Sequence, residues 1–397
     1  MKTASLRSFL HPEMIVQTSV LFLVEFARGA ALISFLPLYG RNALGLDLDV
    51  IGVAITAHYV TDTFVKLAIG WLMNHLTVRT LVNGSLLASL AGIFLTGYAD
   101  VPWLFIVSAA LFGIGISPIW IVCLTHIQEE RRATQMGFLY TIWLVGIGTG
   151  PVVTNVLMEA GGTLAYWVML LIVLAAWLLS WLIPPGRTAV LKVVPFREQL
   201  ALLGERLKEM KALLPGMVVQ TLAAGMLVPI LPSFASDHLG LTPTQYSILL
   251  FVGGGCTVAG LIPMGRLSDA WGKKWFLVCG FLIFGVALYA LTRQPGLALS
   301  LMWALVLGLS YAAVLPAWNA LLASYVPPGQ SGLGWGVFST VEGIGGMIGP
   351  GIGGLIAAAT GEPAVVGIAA ACFIVISLFY WLFPFRLFRG ENPVRIS

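Results

Sequence analysis

Charge is scarce in this sequence. Only 10% of its 397 residues are Asp, Glu, Lys or Arg, and 58% are apolar, against about 25% charged and 45–50% apolar in soluble domains. So few charges cannot cover one or two water-soluble domains, and the same hydrophobicity excludes disorder. The net charge is +4, and the basic residues sit in short separated loops, which excludes a nucleic-acid-binding face. Cysteine is sparse too: Cys123, Cys256, Cys279 and Cys372 all fall in apolar stretches without a CxxC pair, so neither disulfides nor metal ligation is expected. There is no Walker sequence, no metal-ligand cluster, no paired-carboxylate loop motif and no loop long enough for a catalytic domain. A primary ATP-driven pump is therefore excluded on this chain alone, and no feature supports a membrane-embedded enzyme or a bound cofactor.

What is abundant is long apolar runs. A helix needs about 20 mostly apolar residues to cross the hydrocarbon core. Twelve such stretches are present, over 14–39, 50–73, 79–98, 102–125, 134–158, 163–184, 212–235, 244–265, 275–292, 297–324, 333–359 and 363–385. Strand-like alternation is absent, and lipid forbids open sheet edges. The chain thus reads as an all-α integral membrane protein of twelve spans. Glu25 and Arg28 interrupt the first stretch and no small-residue cleavage site follows it, so it is not a cleavable signal. With the N-terminus inside, the inner segments hold 17 of the 21 basic residues and the outer loops hold two, Arg41 and Arg293. That asymmetry places both termini in the cytoplasm.

The longest polar stretch, 185–211, falls near the midpoint. Phe196, Leu200, Leu203 and Leu207 alternate at helical spacing with Arg197, Glu198, Glu205, Arg206, Lys208 and Glu209. It reads as an amphipathic helix on the inner membrane face or as a solvated linker. The expected organisation is an N-terminal half over 1–186, a linker over 187–211 and a C-terminal half over 212–397.

The halves repeat at an offset of 195–199 residues. Leu36-Pro37 matches Leu231-Pro232, and Gly70 matches Gly265. Pro118-Ile119-Trp120 matches Pro316-Ala317-Trp318. Gly137, Gly146, Gly150 and Pro151 match Gly336, Gly345, Gly349 and Pro350. Four landmarks in order point to a duplicated six-helix unit, an architecture of transporters whose halves rock against each other.

The run Gly265-Arg266-Leu267-Ser268-Asp269-Ala270-Trp271-Gly272-Lys273-Lys274 resembles the signature loop of the major facilitator superfamily. Its glycine suits close helix approach, Asp269 suits capping of helix ends in the other half, and the lysines suit the inner side. The matching first-half loop is degenerate, with Asn74 in place of the Asp and Thr77-Val78 in place of Gly-Lys. The glycines of span 11, completed by Gly353-Gly354, resemble the antiporter motif of that superfamily, whereas span 5 has Thr154-Asn155 there. Such glycines also serve tight helix packing.

A closer resemblance runs through Glu25-Phe26-Ala27-Arg28-Gly29, Ser117-Pro118-Ile119-Trp120, Gln135-Met136-Gly137, Leu315-Pro316-Ala317-Trp318-Asn319 and Trp335-Gly336-Val337-Phe338. These are similar to the lipoteichoic-acid glycolipid flippases of Gram-positive bacteria. The resemblance implies a proton-coupled antiporter of the bacterial cytoplasmic membrane, driven by the proton gradient. Its substrate would be diglucosyl-diacylglycerol, moved from the inner to the outer leaflet, with enzymes of lipoteichoic acid synthesis as further partners. A proton-driven multidrug efflux antiporter is the alternative, since the span 11 glycines suit it equally.

Ionisable groups inside spans mark the candidate site, because a lone charge at mid-bilayer costs about 2.5–3.5 kcal/mol on insertion scales. Span 1 carries Glu25 and Arg28 at i,i+3; span 2 carries His58, Asp62 and Lys66 at i,i+4 steps. Acids beside bases keep each other charged, and a carboxylate released from its partner can take a proton. The resemblance puts Glu25, Arg28 and Asp62 on a polar central cavity that binds substrate, with the two acids coupling protons. Each pair also has a purely structural reading, which for Lys66 is the expected one. His58 reads equally as a packing residue or a proton relay. Glu342 reads as a second proton site or as a carboxylate pointing into the cavity. Trp120 and Trp318, at equivalent repeat positions, could stack on sugar rings, and Asn319 joins them as a substrate-binding candidate. The polar first half and the apolar second half, with Trp318, Tyr311, Phe251 and Phe338, suit a sugar head with acyl tails.

Overall fold

The computed structural model describes residues 12–125, 132–186, 213–323 and 331–382, without the side chains of a few helical stretches such as 132–137 and 331–340. Every described element is helical. The chain runs α1 (Pro12–Ala30), α2 (Leu36–Asn42), α3 (Leu48–His75), α4 (Val78–Thr96), α5 (Pro102–Ile114), α6 (Ile116–Thr125), α7 (Arg132–Ala160) and α8 (Gly162–Ser180). It continues through α9 (Leu214–Leu227), α10 (Leu231–Ser233), α11 (Pro243–Trp271), α12 (Lys273–Leu291), α13 (Leu297–Ala323), α14 (Ser331–Thr360) and α15 (Glu362–Leu382). Among the described residues eleven spans are long and apolar enough to cross a membrane. The pair Leu214–Leu227 and Leu231–His238, bent by 54°, supplies a twelfth.

Local chemistry sets these ends and breaks. In the first span α1 passes through a π turn, Ala31–Phe35, closed by the Leu36 N–H on the Ala31 carbonyl. Pro37 follows at once, and a residue without an N–H cannot carry the ordinary ladder through this point. Pro232 stands at the bend of the seventh span. Thr242 opens α11 with a capping box: its hydroxyl accepts from the Gln245 N–H at 3.2 Å, and its own N–H donates to Gln245 Oε1 at 3.0 Å. Single glycines join α7 to α8 and α14 to α15. Gly161 and Gly361 hold φ of 148° and 85° there, where a side chain would be strained.

The contacts divide the chain into two compact units, Met1–Val193 and Val194–Ser397. Inside each, the helices pair in one pattern. In the first unit α1 packs on α7 and α8, α3 on α5, and α4 on α5 and α8. In the second, α9 packs on α14 and α15, α11 on α13, and α12 on α13 and α15. Read by span, both patterns are 1·5, 1·6, 2·4, 3·4 and 3·6, as a duplicated six-helix unit requires. Side-chain ties repeat as well. Arg79 Nε donates to the Ile183 carbonyl at 2.6 Å, and Lys274 Nζ to the Trp381 carbonyl at 3.2 Å. Ser180 Oγ donates to Asn83 Oδ1 at 2.7 Å, and Ser377 Oγ to the Val278 carbonyl at 2.7 Å.

Polarity runs opposite to that of a soluble protein. Gln17, Glu25, His58, Asp62 and Asn83 are buried, while Phe64, Phe251, Ile262 and Leu382 are exposed. Exposed apolar side chains and buried polar ones are what a hydrocarbon solvent selects. The linker expected over 187–211 lies outside the described residues, as do Glu129, Glu130, Arg131 and the Arg132 side chain.

Candidate functional site

Among the described residues of the first unit, two ion pairs with a buried acid each join residues one helical turn apart. Arg28 Nη2 lies 2.7 Å from Glu25 Oε2 on α1, with side chains 15% and 2% exposed. Lys66 Nζ lies 2.7 Å from Asp62 Oδ2 on α3. Asp62 is buried and Lys66 keeps about half its side chain exposed. Ser117 of α6 donates its hydroxyl to the other oxygen, Asp62 Oδ1. Asp62 therefore holds one charged donor and one neutral donor from two helices, which keeps its ionised form fully bonded.

His58 stands one turn before Asp62 and is fully buried. Its ring packs on Phe112 at 5.3 Å and meets Tyr59 edge-on at 5.5 Å. Glu25 interacts electrostatically with Arg28, Asp62 and Lys66, and His58 with Asp62, Arg28 and Lys66. The charges of spans 1 and 2 thus act on one another within the first unit.

Rings connect Arg28 to Trp120. The Arg28 guanidinium lies 5.9 Å from the Trp143 ring centre. Trp143 meets Tyr140 at 6.4 Å, and Tyr140 meets Trp120 at 5.4 Å, both edge-on. The half-buried Trp120 on α6 is therefore linked to Glu25 through Tyr140, Trp143 and Arg28, across three spans. Ser117, Tyr140 and Trp143 were missed as site residues in the sequence. For Tyr140 and Trp143 the available signal was their aromatic i,i+3 spacing, which sets both on one helix face. For Ser117 it was only a hydroxyl beside Pro118 inside an apolar span.

The repeat partner of Trp120 is placed differently. Trp318 is 3% exposed, and its indole N–H donates to Glu342 Oε1 at 2.7 Å. Gln220 Nε2 donates to the same oxygen at 3.4 Å. The Trp318 ring packs 6.0 Å from that of Tyr380, and Asn319 is exposed. Gln220 was also missed, because it lies 122 residues from Glu342 and nothing local pairs them.

The motif glycines pack helices within each unit. A Cβ at Gly146 would come within 3.0 Å of the Glu25 Cβ, and one at Gly150 would overlap the Phe26 carbonyl. Pro151 is buried, and its carbonyl accepts from Ser34 Oγ at 3.4 Å. In the second unit a Cβ at Gly345 would overlap Thr221 and the Val218 carbonyl, and one at Gly349 would lie 2.7 Å from the Leu222 carbonyl. Pro350 is buried beside Gly225. These glycines seat span 5 on span 1 and span 11 on span 7. A Cβ at Gly265 would meet Pro316 at an ordinary contact distance, and Asp269 is exposed near the end of α11.

The sequence profile of the Major Facilitator Superfamily matches residues 18–212 and 213–395. The chain is 31% identical over 390 residues to the proton-coupled antiporter flippase LtaA of Staphylococcus saprophyticus, covering 96% of this chain and 97% of that one. It is 30% identical over 387 residues to the protein of the same name from Staphylococcus aureus strain N315, with 96% and 97% covered. Among solved structures it resembles the nucleoside transporter NupG, with a TM-score of 0.76 at 14% identity, covering 94% of this chain and 98% of that one. It also resembles a bacterial homologue of the human lysosomal transporter Spinster, with a TM-score of 0.74 at 15% identity and 95% and 96% covered. At such identities these two structures speak for the fold alone.

Proposed function

The chain belongs to the major facilitator superfamily, and from that premise we propose that it is a proton-coupled antiporter flippase carrying a glycolipid outward across the bacterial cytoplasmic membrane. The similarity to the staphylococcal flippases over almost the full length supports the activity. The observation that carries the proton step is the pairing of the buried acids Glu25 and Asp62 with Arg28, Lys66 and Ser117. While each carboxylate keeps its cation, that cation favours its ionised form. A conformational change that separates a pair leaves a charge that lipid does not tolerate, and a proton neutralises it. Arg28, once released, is free to donate to the hydroxyls of a sugar head, so proton uptake and substrate binding exchange for one another at the same residues. Trp120, joined to Arg28 through Trp143 and Tyr140, supplies an aromatic face for the sugar ring.

Diglucosyl-diacylglycerol is the substrate this reading favours, delivered to lipoteichoic acid synthesis on the outer side, with both termini cytoplasmic. The efflux alternative rests on the span 11 glycines, which pack span 11 on span 7 as their counterparts pack span 5 on span 1, and the staphylococcal relatives favour the flippase reading over it. The test is glycolipid flipping in proteoliposomes under an imposed pH gradient. Flipping that follows the gradient and is lost in Glu25→Gln and Asp62→Asn supports the proposal; flipping indifferent to the gradient refutes it.

A further inference from the structure

Glu342 differs from the carboxylates of the first unit in its partners. Glu25 and Asp62 each hold a cation at 2.7 Å. Glu342, within α14, holds two neutral donors, Trp318 of α13 and Gln220 of α9, and no ion pair among the described residues. Both donors reach the same oxygen, Oε1. An indole N–H can only donate, so Oε1 is fixed as an acceptor, and Oε2 remains as the oxygen able to carry a proton. The arrangement suits both forms of the group. Ionised, it is held by two N–H donors; protonated on Oε2, it keeps both bonds and leaves no unpaired charge in the span.

Among the described residues, the surroundings add no charge to bias that choice. Tyr311 on α13 interacts with Glu342 electrostatically, and Tyr380 on α15 lies behind Trp318. From α9 the facing group is the uncharged Gln220.

We propose that Glu342 is a second proton-binding site, built into the C-terminal unit and sensed by Trp318 through its indole N–H. The inference deepens the proton-coupled reading, but binding at this carboxyl is measured without transport. Protein in lipid vesicles is titrated while infrared difference spectra follow the carboxylic-acid carbonyl band and emission spectra follow tryptophan. The wild type is expected to show, beside the contributions of Glu25 and Asp62, a titrating carboxyl component that is missing from Glu342→Gln. A pH-dependent component of the emission should vanish in both Trp318→Phe and Glu342→Gln. The glutamine keeps the acceptor oxygen, so both N–H bonds and the fold survive the change. Wild-type and Glu342→Gln difference spectra that superimpose overturn the proposal, as does an emission component that persists in Glu342→Gln or is absent from the wild type. Wild-type flipping that ignores a pH gradient would sink the transport reading and leave this titration intact.

Discussion

Ser117 and Asp62 stand 55 residues apart in sequence and share a hydrogen bond that ties α6 to α3. Lys66 reaches the same carboxylate from its other side, so the acid is held by two helices rather than by its own alone. Removing the hydroxyl takes a donor from the ionised form only. Ser117→Ala is therefore expected to move the pH profile of flipping to the alkaline side by about one pH unit, the equivalent of a lost charged hydrogen bond. Rates measured across buffered vesicles check this, and an unmoved profile would count against Asp62 as a coupling group.

The Glu25–Arg28 pair predicts an asymmetry between its members. Glu25→Gln strands the Arg28 cation, which keeps some exposure and the Trp143 face, whereas Arg28→Ala strands the more deeply buried Glu25 carboxylate. Arg28→Ala should cost about 3 kcal/mol, and Glu25→Gln distinctly less. Both should abolish pH-driven flipping, and thermal denaturation in detergent separates the stability effects.

Close packing makes a sharper set of contrasts. Gly150→Ala and Gly349→Ala push a methyl group into the backbone of the neighbouring span and should each cost about 1–3 kcal/mol. Gly148→Ala and Gly346→Ala, which meet nothing within 4 Å, should be tolerated. Melting temperatures of the four variants measure the difference.

The two tryptophans at equivalent repeat positions should part company. Trp318 is buried against Tyr380 and bonded to Glu342, so Trp318→Ala opens a cavity worth about 3–5 kcal/mol. Trp120→Ala, at a half-buried position, should lose glycolipid affinity with a smaller loss of stability. Binding titrations and melting curves on the same samples resolve the two effects.

Much of this was legible because it is local or periodic. Apolar runs located the spans, and Leu36-Pro37 against Leu231-Pro232 located the duplication. The i,i+3 and i,i+4 spacings paired Glu25 with Arg28 and Asp62 with Lys66. Contacts that depend on distant chain segments were not legible. Ser117 on Asp62, Gln220 on Glu342 and Trp143 under Arg28 each need the helices to be assembled first. Trp120 and Trp318 show the limit of repeat logic, since equal positions in the two copies have acquired different neighbours.

The repeated ties at Arg79–Ile183 and Lys274–Trp381 bear on how the protein is made. Each joins the third helix of a copy to the end of its sixth, so each copy is fastened by groups it carries itself. The first copy can be locked shut at the ribosome before the second has been translated. Two separately synthesised fragments, divided between Gly186 and Leu213, would retain every such fastening.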